Sequence, residues 1–131
     1  MRVRCQRQAD IVSVHLPLTP DTHGLIGARE FGLMKPAALF VNTARGKIVA
    51  QEALVAALRA GRIGGAALDV FADEPLPPDD PLHDLRERPE GGVTLTTHSA
   101  SQAPWTWVWD SLAVWDNVLR SLRGEPLEHL V

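Results

Sequence analysis

Four short apolar runs, separated by turns and helical stretches, constrain this chain more than any other feature. Ala9–Leu16 (ADIVSVHL), Ala38–Asn42 (ALFVN), Gly65–Val70 (GAALDV) and Val93–Thr97 (VTLTT) each have strand length and read as short apolar strands, the last carrying threonines beside Val93 and Leu95. A strand with one wet face alternates polar and apolar residues, whereas a strand covered on both faces does not. Between the runs, Ala28–Leu33 reads as a short helix stopped by Pro36. Glu52–Ala60 reads as a helix whose Leu54, Val55 and Leu58 share a face and which Gly61 ends. Pro17, Pro20, Thr22 and Gly24 mark the loop after the first run. The connection from Phe71 to Gly92 is rich in Pro, Asp and Glu and has room for one helical turn near Leu82–Arg86. Pro104 opens a long final helix, since proline is favoured at the first helical position. Strands alternating with helices predict an α/β fold with a mostly parallel sheet and right-handed crossovers.

Composition narrows the function classes. The 131 residues suit one domain, and 45% apolar with 22% charged residues is ordinary for a globular chain. A net charge of −3 gives no electrostatic reason to expect nucleic acid. The single cysteine, Cys5, cannot form an internal disulfide, which suits a reducing cytoplasm. No apolar run approaches the roughly 18–20 residues needed to span a bilayer, so no membrane partner is expected. The basic start (Arg2, Arg4, Arg7) is followed by no apolar segment of signal-peptide type. His15, His23, His83 and His129 are scattered without metal-ligand spacing, so no metal site is expected.

In the final helix Trp105, Val108, Trp109, Leu112, Trp115, Leu119 and Leu122 form one apolar stripe, while Trp107, Val114 and Val118 fall outside it. A helix apolar on more than one side usually has something packed on each. Either the tryptophans fill this domain's core, or part of this surface meets another subunit or domain.

The residues that could carry chemistry follow the apolar runs. Asn42-Thr43-Ala44-Arg45-Gly46 comes directly after the second run. An arginine at the carboxyl end of a parallel strand lies where open α/β sheets bind ligands, and its fork of donors matches a carboxylate. Gly46 would let backbone approach a ligand. A surface arginine in a strand–helix turn satisfies the same pattern. Asp69 closes the third run and could equally brace a loop. His98 closes the fourth. Arg45, Glu74 and His98 follow the carboxyl ends of successive strands, which share one edge in a parallel sheet, so the three could converge. Arg45 would then hold a carboxylate and polarise the adjacent carbonyl, and His98 would exchange a proton with that oxygen. Glu74 would bind the other ring nitrogen and fix the tautomer. No G-x-G-x-x-G, G-x-S-x-G or P-loop motif occurs.

Taken together, His15-Leu16-Pro17-Leu18-Thr19-Pro20-Asp21-Thr22, Asn42 to Gly46, Leu68-Asp69-Val70-Phe71 with Asp73-Glu74-Pro75-Leu76, and Thr97-His98 resemble the D-isomer-specific 2-hydroxyacid dehydrogenases. That family includes phosphoglycerate dehydrogenases and glyoxylate/hydroxypyruvate reductases. The likeness runs from about Ala9 to the end. It implies the C-terminal half of a Rossmann-type, doubly wound NAD-binding domain over residues 1–103. Residues 104–131 would be a helix and tail packing toward the substrate domain. It implies a catalytic set of Arg45, Glu74 and His98, and NAD contacts (NADP remaining possible) at His15, Leu16, Pro17, Thr43, Ala44, Arg45, Asp69, His98, Ser99 and Ala100. The reaction implied is hydride transfer between the nicotinamide and C2 of a small 2-hydroxy or 2-oxo acid, in a cytoplasmic homodimer.

Two departures stand out. Thr96-Thr97 precedes the histidine where the family usually has Thr-Pro, and the stretch Pro104 to Trp115 is unusually rich in tryptophan. The family's glycine-rich phosphate turn and the first part of its substrate domain would precede Met1, while Gly124-Glu125-Pro126-Leu127 resembles the family's normal end. A C-terminal portion of such an enzyme is therefore expected, one that by itself holds NAD(H) weakly and reduces glyoxylate or hydroxypyruvate negligibly. A non-catalytic remnant or interaction module is the alternative.

Overall fold

The computed structural model describes residues 7–86, 88, 91–99 and 106–128, with backbone alone at 106, 107, 109, 110 and 113. Two compact units divide the chain, Met1–His98 and Ser99–Val131.

The first unit is a four-stranded sheet in the order β1-β2-β3-β4, every pair parallel. The strands are β1 (Ile11–Val14), β2 (Leu39–Asn42), β3 (Gly65–Leu68) and β4 (Val93–Leu95). Helix α1 (Ala28–Leu33) links β1 to β2, α2 (Gln51–Arg59) links β2 to β3, and a short 3-10 turn, His83–Leu85, lies before β4. Because sequence neighbours are also sheet neighbours, each crossover steps the same way across the sheet, and α1 and α2 lie against one another.

Local chemistry explains the elements. At the start of α1 the Gly27 N–H donates to Glu30 Oε2 at 3.1 Å, satisfying a donor that the first helical turn leaves open. Helix α2 presents Leu54, Val55, Ala57 and Leu58 to the core and stops at Gly61, whose φ of 60° suits glycine. The core joins these helices to the sheet through Phe31, Phe40, Ile48, Leu54, Leu58, Leu82 and Leu85. Phe31 meets Phe40 edge to face at 5.2 Å and 84°.

Every expected strand is present, but each is shorter than its apolar run. The reading of the first run as a buried strand needs correction. Ile11 is 60% exposed and Leu16 39%, and only Val14 is buried. As an edge strand, β1 has one neighbour, β2, so its apolar composition does not imply cover on both sides. Leu39 beside it is exposed too.

In the second unit α3 spans Thr106–Arg123 within the described residues. The expected helix start at Pro104, and Trp105, lie outside them. Leu112, Trp115, Leu119 and Leu122 of the apolar stripe are exposed, as are Val114 and Val118. Trp115 is therefore not a core residue. The Arg120 guanidinium bridges Asp116 at 2.8 Å and Glu128 at 2.7 Å, fastening the tail to the helix. Among the described residues, no helix is long and apolar enough to cross a membrane.

Candidate active site

The strand register places four strand ends in one row. Val14 stands opposite Asn42, Asn42 opposite Leu68, and Leu68 opposite Leu95. The chain therefore leaves the sheet four times at one edge, into His15–Pro17, Thr43–Arg45, Asp69–Glu74 and Thr96–His98. All the expected site residues of the first unit lie on these exits.

Glu74 and His98 meet. His98 Nδ1 lies 2.7 Å from Glu74 Oε2, and the other carboxylate oxygen accepts the Phe71 N–H at 2.9 Å. The histidine bond first, then the Phe71 amide, hold the Glu74 carboxyl below its ordinary pKa; partial burial opposes them, and the charge of Arg45 adds to the lowering. An ionised carboxylate can only accept, so Nδ1 carries the hydrogen and neutral His98 keeps Nε2 as its basic atom. Both side chains remain within reach of solvent, 46% exposed for His98 and 36% for Glu74. His98 has a φ of 53°, a conformation uncommon for a residue with a side chain.

Arg45 is exposed, and its Nη1 donates to the Ala44 carbonyl at 2.6 Å. Its backbone is held by Asn42, which is only 1% exposed. The Asn42 amide donates to the Arg45 carbonyl and accepts the Ala44 N–H, both at 3.1 Å. The role of Asn42 is not legible from the motif in which it stands. The available signal is a polar amide ending an apolar strand, which must find partners when buried.

Gly46 requires a correction. A Cβ there would overlap the carbonyl of Phe71, so the glycine admits this chain's own backbone rather than a ligand. The same Phe71 offers its N–H to Glu74, so the arginine loop and the glutamate loop meet at one residue.

Asp69 is 4% exposed and accepts the Thr96 hydroxyl at 2.5 Å, while its N–H donates to the Asn42 carbonyl at 3.0 Å. In this structure it braces β3 to the exit of β4. Thr43 is exposed, Ser99 is half-buried in the second unit, and Ala100 lies outside the described residues.

Two clefts open along the edge. One, of about 480 Å³, is lined by His15, Leu16, Pro17, Leu18, Ala44 and Arg45. The other, of about 520 Å³, lies at Glu74 and His98, with Phe71, Leu76, Arg86 and Leu95 among its walls. Among the described residues, no three His, Cys, Asp or Glu side chains gather as metal ligands would.

A parallel sheet with this polar edge defines an open α/β layer of the class that binds ligands at the carboxyl ends of its strands. Comparison with known proteins narrows the class. Residues 4–100 match the family described as D-isomer specific 2-hydroxyacid dehydrogenase, NAD binding domain, and the chain belongs to that family. It is 44% identical over 124 residues to a glyoxylate reductase of Korarchaeum cryptofilum, an alignment covering 95% of this chain and 36% of the relative. A D-isomer specific 2-hydroxyacid dehydrogenase of Xanthobacter autotrophicus, solved in complex with NADPH and MES, superposes with a TM-score of 0.82 at 39% identity. That match covers 98% of this chain and 50% of the solved one. D-lactate dehydrogenase of Lactobacillus jensenii, solved with NAD+, gives 0.84 at 28% identity over 98% of this chain and 41% of the other. The chain thus spans about a third of the length of the reductase it matches.

Proposed function

We propose that this edge is the catalytic side of an oxidoreductase that interconverts a D-2-hydroxy acid and its 2-oxo acid, using NAD(H) or NADP(H). One observation carries the reading: an ionised Glu74 bound to His98 Nδ1, on the same sheet edge as Arg45.

Arg45 is assigned to the substrate carboxylate and the adjacent carbonyl. Its planar fork of donors suits a carboxylate, and its charge stabilises the negative charge that builds up on the carbonyl oxygen during reduction. His98 holds a proton at Nε2 for that oxygen in reduction and receives it back in oxidation. Glu74 accepts from Nδ1, which orients the ring and fixes the tautomer that leaves Nε2 facing the substrate side of the exchange. The nicotinamide, when bound, supplies or accepts the hydride.

The residues present fit a dinucleotide in part. The cleft at the ends of β1 and β2 combines apolar walls, Leu16, Pro17 and Leu18, with the cation of Arg45, a donor set suited to a flat heterocycle next to an anionic group. His15, Leu16, Pro17, Thr43, Ala44 and Arg45 are assigned to that contact. Asp69, Ser99 and Ala100, with His98, are assigned to the nicotinamide end. The sequence carries no G-x-G-x-x-G motif of the kind that cradles a pyrophosphate. Glyoxylate and hydroxypyruvate are the first substrates to test, with NADH and NADPH compared. A homodimer and a cytoplasmic location belong to the same proposal, and sedimentation velocity reads the assembly directly.

In the intact protein, His98→Ala is expected to lower glyoxylate-dependent NADH oxidation by roughly 10²–10⁴-fold. Arg45→Lys keeps the charge but loses the fork and is expected to lower kcat/KM as well. Near wild-type rates in either variant overturn the role assignment.

A further inference from the structure

Gln51, the first residue of α2, reaches the loop that carries Glu74. Its Oε1 accepts the Ala72 N–H at 3.2 Å, and its Nε2 donates to Asp80 Oδ2 at 2.7 Å. One side-chain amide therefore spans both ends of the segment 72–80, in which Glu74 stands. Asp80 is itself anchored, because its Oδ1 accepts the N–H of the fully buried Leu82 at 2.9 Å.

The Ala72 N–H belongs to the same peptide unit as the Phe71 carbonyl. That carbonyl packs on Gly46, next to Arg45, while the Phe71 N–H holds Glu74 Oε1. The Phe71–Ala72 peptide is thus gripped from two sides, by the arginine loop and by Gln51. The chemistry demands an amide here. A carboxylate could accept from Ala72 but would face the Asp80 carboxylate, and a cation could bind Asp80 but could not accept.

We infer that Gln51 is a positioning residue for the Glu74–His98 pair: it pins both ends of the Glu74 loop and so sets that carboxylate against the imidazole. The inference rests on the catalytic reading of Arg45, Glu74 and His98.

Two readouts on the intact protein test it, the His98 tautomer by NMR of 15N-histidine-labelled protein and glyoxylate reduction with NADH. Gln51→Ala is expected to free the loop, so that His98 loses its single Nδ1–H tautomer. The accompanying fall in kcat/KM is about tenfold or more, since a misplacement of about 1 Å can cost a hundredfold. The control Ala56→Gly weakens the same helix from its exposed side and is expected to leave the tautomer unchanged. Gln51→Glu is expected to behave like Gln51→Ala, because it sets two carboxylates against each other. Adding Asp80→Asn to Gln51→Glu restores a donor opposite an acceptor and is expected to recover both readouts. A Gln51→Ala protein that keeps the tautomer, or a folded double variant that recovers neither readout, overturns the inference. If His98→Ala stays active while Gln51→Ala loses the tautomer, the catalytic reading fails and the positioning role stands.

Discussion

Replacing Gly46 by alanine tests how the arginine and glutamate loops are joined. The added Cβ would fall on the carbonyl carbon and oxygen of Phe71 and only 2.6 Å from the Ala72 nitrogen. These are backbone atoms at a strand exit, so no side-chain rotation can make room. Ordinary contact at a Cβ begins near 3.4 Å, so the two segments must part by more than about 1 Å. Overpacking of this kind costs about 1–3 kcal/mol. For a chain of this size about 3–5 °C of Tm accompanies each kcal/mol, so a fall of roughly 3–15 °C is expected. The displacement is shared between Arg45 on one side and the Phe71 amide that holds Glu74 on the other. A shift of that size at reacting groups lowers kcat/KM by up to about a hundredfold. Thermal unfolding of the 131-residue chain followed by far-ultraviolet circular dichroism measures the first effect, and steady-state glyoxylate reduction with NADH by the intact protein measures the second. A Gly46→Ala protein with wild-type Tm and wild-type kcat/KM refutes the close contact. A lowered Tm with unchanged kcat/KM refutes its role in joining the two loops.

Phe40 is completely buried in β2 and meets Phe31 edge to face, so Phe40→Ala is expected to cost about 3–5 kcal/mol, read as a fall in the urea midpoint; an unchanged midpoint contradicts the packing. The depressed pKa of Glu74 contributes stability above its ordinary value of about 4.5, and that contribution is lost as pH falls through the lower native value. The stability difference between wild type and Glu74→Gln should therefore narrow on acidification below about pH 4.5, and a 13C titration placing the Glu74 midpoint at or above 4.5 would count against the bond to His98.

The apolar runs made the sheet legible because strand formation is governed by short-range pattern, and all four strands fall inside the runs that announced them. Helix α1 matches its expected bounds residue for residue, with a glycine cap before it and Pro36 shortly after. The tryptophan stripe shows the limit of such patterns. Helical spacing identified an apolar face, but the exposure of Leu112, Trp115 and Leu119 depends on what lies against them, which no periodicity encodes. Leu16 and Ile11 make the same point in β1, where apolar composition cannot distinguish an edge strand from a central one.

The placing of Arg45, Glu74 and His98 on one edge was legible because a parallel sheet sends every strand exit to the same side. Gln51 was not, since its partners Ala72 and Asp80 lie 21 and 29 residues away. Gly46 was legible as a position of close approach, but its neighbour could not be read from the sequence.

By itself the sequence determined the alternation of strands and helices, the family motifs and the chemical types ranged along one edge, because these are properties of local order and composition. Only the tertiary structure decided that Glu74 is ionised against His98, that Gly46 meets Phe71, and that Gln51 spans the Glu74 loop. Such pairings join residues distant in the chain, and distances of a few tenths of an ångström set their strength.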